Sequence, residues 1–324
     1  MLSEHPGALL FGEDVGKKGG VYGVTKGLFD RFGPARVFNT LLDEQTILGL
    51  ALGASTFGLL PIPEIQYLAY LHNAEDQLRG EASTMRFFSN GSFDNPMIVR
   101  IAGLAYQKGF GGHFHNDNSL AVLRDIPGIV VGVPARADDA DALLRSAVKL
   151  SVDRRRVVVL VEPIALYHRR DLYADGDGEW LATPDGSSAA VEHARVYGEQ
   201  GELLIVTYGN GVFLSLRAAR RIEEELGRRA RVVDLRWIVP LPEKEVLELA
   251  RGSGRVLVVD ECRRSGNVGE ALVSLLTLGG FRGPLARVAS ADSFIPLGNA
   301  AELVLVSEQE IVDAAKELLA ASAD

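Results

Sequence analysis

Short, uninterrupted apolar runs alternate with longer helix-like patterns along this chain. In the first half the apolar runs lie at 8–11, 62–65, 97–101, 129–132 and 157–161. The helix-like patterns between them lie at 45–56, 73–86 and 138–150. Strands that are apolar throughout, each followed by a helix, are typical of parallel sheets buried on both faces. We therefore predict an α/β fold in which helices cover a parallel sheet.

The same alternation returns after residue 200. Apolar runs lie at 203–207, 230–233 and 256–259, and helix-like patterns lie at 212–226, 243–250, 269–278 and 311–319. Residues 166–199 are instead rich in Gly, Asp and Pro, which is typical of turns. The 324 residues suffice for two domains of ordinary size. We predict two three-layer, parallel-sheet domains at 1–165 and 200–324, joined by a linker with a hairpin at 166–199.

Composition excludes several classes of partner. A net charge of −9 disfavours nucleic acid, because binding phosphates requires clustered cations. No apolar run approaches the roughly 20 residues that span a bilayer, so we expect no membrane partner. Cys262 is the single cysteine and cannot form an internal disulfide, which favours a reducing cytoplasm.

Four polar side chains follow candidate strands closely. They are Glu44, Gln66, Tyr70 and His115. In open parallel sheets the carboxyl ends of the strands meet at one edge, and ligands bind there. We therefore expect these side chains to converge on one site.

Glu44 also has a structural interpretation. Thr40 would cap the helix that follows, and Asp43 and Glu44 would merely favour the positive end of that helix. Glu13 and Asp14, at the end of the first strand, have a comparable choice between metal binding and loop capping.

The histidines require a similar choice. His113, His115 and Asp117 alternate as metal ligands on a strand do, but no cysteine or further histidine lies nearby at ligand spacing. We therefore predict no metal site in this chain. His115 follows the glycine-rich stretch 109–112, a position that fits a mobile catalytic acid. His72 has no such context, and we expect it to be structural.

Eight segments in this order resemble the β subunit of thiamine-diphosphate-dependent 2-oxo acid dehydrogenases, the E1 component, and they span almost the whole chain. They are FGEDVG at 11–16, GGVYGVTKGL at 19–28, TLLDEQTILGLALG at 40–53, PEIQYLAY at 63–70, GGHFHNDNSLAVLRDIPG at 111–128, LVEPIALY at 160–167, DLRWIVPLP at 234–242 and DSFIPLG at 292–298. The resemblance implies a transketolase-like pyrimidine-binding domain followed by a transketolase C-terminal-like domain.

The resemblance also implies residue roles. Glu44 takes the position of the glutamate that hydrogen-bonds N1′ of the cofactor's aminopyrimidine, and His115 that of the catalytic histidine. Leu42, Gln66 and Tyr70 match positions that line the pyrimidine pocket. The implied reaction is decarboxylation of a 2-oxo acid, pyruvate or a branched-chain one, followed by acyl transfer to a lipoyl group. The implied partners are an E1 α subunit that holds the diphosphate and Mg²⁺, a second β copy in a heterotetramer, and an E2 acyltransferase with its lipoyl domain.

Two departures from the family pattern concern substrate choice more than reaction class. The family's His-Ser-Gln is His-Asn-Asp at 115–117, and a second histidine before Pro-Gly is replaced by Asp125. These features look closer to a bacterial branch with α and β fused in one polypeptide. The chain opens almost directly on a core strand, which agrees with a lost preceding helix and with such a fusion.

Two rival functions remain open at this stage. One is a relative of transketolase or deoxyxylulose-phosphate synthase, although the segment 103–118 offers only Lys108 to a sugar phosphate. The other is a catalytically silent subunit that dimerises and docks the acyltransferase core.

Overall fold

A computed structural model describes residues 1–104 and 112–321. The first part of the chain forms the strands β1 (Ala8–Gly12), β2 (Val37–Asn39), β3 (Leu60–Ile65), β4 (Met97–Gly103), β5 (Ile129–Gly132) and β6 (Val157–Pro163). They lie side by side in the order β5-β6-β4-β3-β1-β2, and each neighbouring pair is parallel. The predicted parallel sheet is confirmed.

Helices cover both faces of this sheet. They are α1 (Leu28–Phe32), α2 (Glu44–Thr56), α3 (Leu68–Leu71), α4 (Met85–Phe88), α5 (Ala121–Arg124) and α6 (Ala137–Arg154). Within β4, Val99 belongs to the core under α2, whereas its neighbour Ile98 belongs to the core under α6. Successive strand residues point to opposite faces, so an uninterrupted apolar run fills two cores at once.

The single helix predicted at 73–86 is wrong. The segment forms a π-helix at Gln77–Ala82 and then the short α4. Two hydroxyls bond back to carbonyls one turn earlier, Ser83 to Arg79 and Thr84 to Gly80. Gly80 adds a flexible backbone position in the same turn, so local bonding competes with a regular helix.

The second part of the chain adds the strands β7 (Arg195–Tyr197), β8 (Leu203–Thr207), β9 (Ala230–Asp234), β10 (Trp237–Val239), β11 (Val256–Arg263) and β12 (Leu285–Ser290). Its helices are α7 (Asn210–Leu226), α8 (Glu243–Ser253), α9 (Val268–Leu278) and α10 (Glu308–Ala320). Five of these strands form a second sheet, ordered β12-β11-β8-β9-β7, which is parallel except for the edge strand β7.

The strand β10 belongs to the first sheet, not the second. It pairs antiparallel with β5 and places the fully buried Trp237 opposite Gly132. A Cβ on Gly132 would lie 2.8 Å from Cζ3 of Trp237, so only glycine fits beneath the indole. A strand from the second part of the chain therefore extends the sheet of the first domain, which the sequence pattern did not predict.

The hairpin expected within 166–199 is also absent from the fully described segment. Its only strand, β7, pairs with β9 of the second sheet. The turns before it are organised by Asp177, whose carboxylate accepts the backbone N–H groups of Leu172, Tyr173 and Ala174. No helix in the described ranges is long and apolar enough to cross a membrane.

Candidate active site

The carboxyl edge of the first sheet gathers the predicted site residues. Gln66 directly follows β3, Glu44 begins α2 just beyond β2, and His115 lies beyond β4. These strands lie within the run β4-β3-β1-β2, so their ends are neighbours. The site therefore occupies the edge where parallel α/β sheets bind ligands.

Glu44 is buried, with 5% of its surface exposed. Its Oε2 accepts a hydrogen bond of 3.1 Å from the side-chain amide of Asn73. The helix cap is Asp43, whose carboxylate accepts the N–H of Thr46, and no side chain in the described ranges bonds the Thr40 hydroxyl. Capping by Thr40 is thus wrong, and Glu44 is buried at the sheet edge without being the cap.

Tyr70 and His115 are in direct contact. Oη of Tyr70 lies 3.2 Å from Nε2 of His115, and the imidazole packs edge-on against Tyr67 at 4.6 Å between ring centroids. Burial, followed by the nearby Tyr67, Glu13 and Glu44, raises the pKa of Tyr70. Tyr70 therefore stays protonated at neutral pH and can hold the ring of His115.

Glu13 is a further acid at this edge. Burial raises its pKa first, and the negative charges of Asp14 and Glu44 raise it further. Asp14 is engaged by Lys18 at 2.5 Å. The sequence alone indicated only a metal ligand or a cap at Glu13, because the nearness of Glu13 to Glu44 depends on the β1–β2 pairing.

Gln66 and Leu42 differ in their surroundings. Nε2 of Gln66 is buried and has no hydrogen-bond partner within the described residues. It borders a cavity of about 10 Å³, room for roughly one water, together with Glu64, Arg100 and Glu162. Leu42 is 72% exposed. The assignment of both residues to a cofactor pocket stays a prediction.

An ion-pair network around the buried Arg100 lies beside Gln66. Nε and Nη2 of Arg100 donate to the two oxygens of Glu162 at 2.7 and 2.8 Å, and Nη1 donates to Glu64 at 2.7 Å. Tyr167 donates to Glu162 at 2.7 Å. Burial raises the pKa of Glu64, although the charge of Arg100 opposes the rise. This network links the ends of β3, β4 and β6.

His72 has more partners than its sequence context indicated. Its Nε2 lies 3.1 Å from Oγ of Ser119 and 3.5 Å from Asp117, and its Nδ1 lies 3.6 Å from Glu75. The hydrogen bond to Asp117, followed by the charge of Asp117 and the contact with Glu75, raises the pKa of His72 against partial burial.

The metal interpretation of His113, His115 and Asp117 finds no support. Within the described ranges, no group of three or more His, Cys, Asp or Glu side chains is arranged to hold a metal ion. His113 instead packs against the rings of Phe114 and Phe294. Lys108, Gly109 and Gly111 lie outside the described residues.

Comparisons with known proteins define the class. Residues 1–169 match the transketolase pyrimidine-binding domain, and residues 192–311 match the transketolase C-terminal domain. In its fold the chain resembles a split-gene transketolase solved as an inactive β4 tetramer, with a TM-score of 0.77 and 23% identity over 98% of this chain and 93% of the other. The fold and these domains define a two-domain protein of the transketolase type, a group that uses thiamine diphosphate.

Sequence relatives narrow the class to a family. The chain is 32% identical to the pyruvate dehydrogenase E1 component subunit beta of Staphylococcus aureus (strain Mu50 / ATCC 700699), over 98% of this chain and 94% of the relative. It is 33% identical, with the same coverage, to the subunit of that name from Staphylococcus epidermidis. The chain belongs to the E1 β family of 2-oxo acid dehydrogenases.

Proposed function

We propose that this chain is the β portion of a 2-oxo acid dehydrogenase E1, which decarboxylates its substrate on thiamine diphosphate and passes the acyl group to a lipoyl group of E2. One observation carries the proposal most directly. Glu44 is a buried carboxyl at the ligand-binding edge of the sheet, it is not the helix cap, and it is oriented by Asn73.

The residues at this edge fit the aminopyrimidine half of the cofactor. Glu44 would share a proton with N1′ of the ring, and Nε2 of Gln66, which has no hydrogen-bond partner within the described residues, would offer the ring a donor. Tyr70 and Leu42 would flank the ring, Leu42 from its exposed position. Bound thiamine diphosphate supplies the electron sink that allows the carboxyl group to leave as CO₂.

His115 would act in acyl transfer. Its contact with Tyr70 holds the imidazole at the mouth of the site, where it would protonate the sulfur that leaves when the lipoyl dithiolane opens. Proton donation by a positioned histidine typically contributes ~10²–10⁴-fold to a rate. This role predicts a larger loss in lipoyl acylation than in decarboxylation when His115 is removed.

The proposal assigns the rest of the cofactor site to partners. Mg²⁺ and the diphosphate would be held by an E1 α subunit or portion, and a second β copy would complete the heterotetramer. The related fold solved as an inactive β4 tetramer agrees with a β chain that needs α for activity. We place the complex in the cytoplasm, where the buried free thiol of Cys262 stays reduced.

Reconstitution with α tests the function. The αβ complex should decarboxylate a 2-oxo acid with an artificial electron acceptor, and pyruvate is the first substrate to try because the relatives are named for it. Glu44→Gln should lower that rate at least about 100-fold, the scale of a lost proton-transfer group. Asp43→Asn is the matched control, since asparagine also caps helices and should leave activity near wild type.

Two results would overturn the proposal. Near-wild-type activity of Glu44→Gln would remove the carboxyl from the chemistry and favour a silent assembly subunit. Turnover of sugar phosphates in place of 2-oxo acids would favour a transketolase-like enzyme. Calorimetry on the β chain alone should show no tight, Mg²⁺-dependent binding of thiamine diphosphate.

A further inference from the structure

Asp117 lies two residues beyond His115 and is held from several sides. Its side chain is 9% exposed. Ser119 donates its hydroxyl to Oδ2, the backbone N–H of Asn118 donates to Oδ1 at 2.9 Å, and Arg263 donates to Oδ1 at 3.0 Å. A buried carboxylate with this many donors fixes the backbone on which it sits.

Two side chains of the α3 turn, Tyr70 and His72, contact this segment, and His72 also lies 3.1 Å from Oγ of Ser119. Tyr70 contacts His115 at 3.2 Å, and two residues later His72 lies 3.5 Å from Asp117. Residues 70 and 72 therefore hold residues 115 and 117 respectively. Loss of the second contact would remove one of the links between this segment and the α3 turn.

The second domain supplies the remaining restraint. Arg263 ends β11, and besides pairing with Asp117 it donates to the carbonyl of Ser293 at 3.3 Å. Asn118 donates its side-chain amide to the backbone carbonyl of Glu261, also in β11, at 2.8 Å. The segment that carries His115 is thus bonded to β11 by two neighbouring residues.

The charges in this cluster favour the arrangement. Burial works to raise the pKa of Asp117, but the hydrogen bonds from His72 and Ser119 and the charge of Arg263 outweigh it and hold the pKa below its usual range. The carboxylate therefore stays ionised near neutral pH and keeps its pair with Arg263. An asparagine at this position would have nearly the same shape and would lose that charge.

We propose that Asp117 is a positioning residue for His115 and that, through Arg263, it makes the geometry of this histidine depend on the second domain. This inference rests on the proposed role of His115 in acyl transfer. Asp117 itself is not expected to touch substrate or cofactor. It acts by keeping the imidazole aligned with Tyr70 when the lipoyl group arrives.

The experiment uses the αβ complex with Asp117→Asn or Arg263→Gln. Decarboxylation with an artificial acceptor should stay within about threefold of wild type, because Glu44 is untouched, whereas acylation of a lipoyl domain should fall about tenfold or more, the scale of a misplaced supporting group. Arg263→Lys should retain more activity than Arg263→Gln. The double variant should be little worse than either single one, since both remove the same contact.

A measurement that does not depend on catalysis distinguishes a positioning role from a general loss of structure. In the substrate-free complex, amide hydrogen exchange of residues 112–120 should accelerate in both variants, and the NMR signal of the His115 imidazole should shift or broaden. Asp177→Asn is the matched control, because Asp177 also accepts several backbone N–H groups but lies in the linker turns. It should leave exchange at 112–120 and the His115 signal unchanged.

The outcomes separate this inference from the proposed function. Unchanged exchange at 112–120 and an unchanged His115 signal in Asp117→Asn would overturn the positioning role, even if activity fell. A wild-type complex with no decarboxylase activity would overturn the proposed function, while exchange and NMR would still decide whether Asp117 positions His115. If Asp117→Asn fails to fold, Arg263→Gln, altered at a partly exposed position, carries the same test.

Discussion

Asn73 donates its side-chain amide to Oε2 of Glu44 at 3.1 Å, which joins the turn after α3 to the start of α2. Asn73 is itself on the surface, so this contact fixes one carboxylate oxygen at the rim of the site. The other oxygen is not bonded by Asn73, and in the proposed function it would face the aminopyrimidine.

Asn73→Ala should therefore lower the decarboxylation rate of the αβ complex by about 10–100-fold, the usual cost of losing a partner that orients a functional ligand. The loss should be smaller than that of Glu44→Gln, because the carboxyl remains. Initial rates with an artificial acceptor measure this loss of activity. The control is Gln309→Ala, which removes an exposed side-chain amide on the surface of α10 and should leave the rate unchanged. Equal rates for Asn73→Ala and wild type would show that Glu44 needs no orientation.

Arg100 should contribute far more to stability than any surface arginine. Arg100→Leu leaves Glu64 and Glu162, which are only 12% and 16% exposed, without their shared cation, and breaking a buried pair in this way typically costs about 3–5 kcal/mol. Urea unfolding at pH 7 measures the free energy of unfolding. The control is Arg220→Ala, which removes an exposed pair with Glu224 one turn away and should cost less than about 1 kcal/mol. Similar losses for the two variants would contradict the expectation.

Fold prediction from the sequence succeeded where burial on two faces left an uninterrupted apolar run. The strand at 129–132 and the strand at 203–207 have the bounds expected of them. Strands β7 and β10 were missed because each is only three residues long and pairs outside its own neighbourhood. β12 was missed because its residues are mostly half-buried and include Arg287.

The site shows the same division between local and long-range information. Glu44, Gln66, Tyr70 and His115 were predicted from their position after strands, which depends only on local pattern and the parallel sheet. Asn73 begins the stretch predicted as a helix and His72 directly precedes it, and their partners lie 29 and 45 residues away, at Glu44 and Asp117. Those contacts depend on how the turn packs, so no local signal reveals them.

Glu261 should make stability fall as pH rises. It is buried and accepts two hydrogen bonds from Asn210, and burial raises its pKa to about 8 in spite of them. The unfolded value is about 4.3, so between these values the folded state binds more protons than the unfolded state. Stability therefore decreases with increasing pH across that window, by at most about 1.4 kcal/mol per pH unit.

Glu261→Gln should flatten this dependence. The free energy of unfolding of wild type and of Glu261→Gln should be measured from pH 5 to pH 9. The difference between the two values should change with pH. Comparing the two proteins is necessary because His72 also makes stability fall as pH rises: its pKa is raised in the folded state. His72 is present in both proteins, so its effect cancels in the difference. Parallel curves for the two proteins would show that Glu261 does not titrate in this range.

Gly132 should be intolerant of any side chain, because β10 crosses from the second domain directly over it. A Cβ there would lie 2.8 Å from Cζ3 of Trp237 and 2.9 Å from Cδ2 of Leu143, and both side chains are fully buried. Overpacking of this kind costs about 1–3 kcal/mol, so Gly132→Ala should lower the free energy of unfolding by that amount. Gly252→Ala, in α8, should gain about 0.5–1 kcal/mol, because the added methyl group meets no described atom within 4 Å beyond the adjacent backbone of its own helix.

The same substitution should also loosen the link between the two domains. In a Trp180→Phe background Trp237 is the only tryptophan, so its fluorescence reports the β5–β10 contact alone. In Gly132→Ala the Trp237 fluorescence should change at a lower urea concentration than the circular dichroism of the whole chain, because the β5–β10 contact is lost before either sheet unfolds. Coincident transitions with unchanged stability would mean that the sheet accommodates the methyl group and that β10 does not lock the domains together.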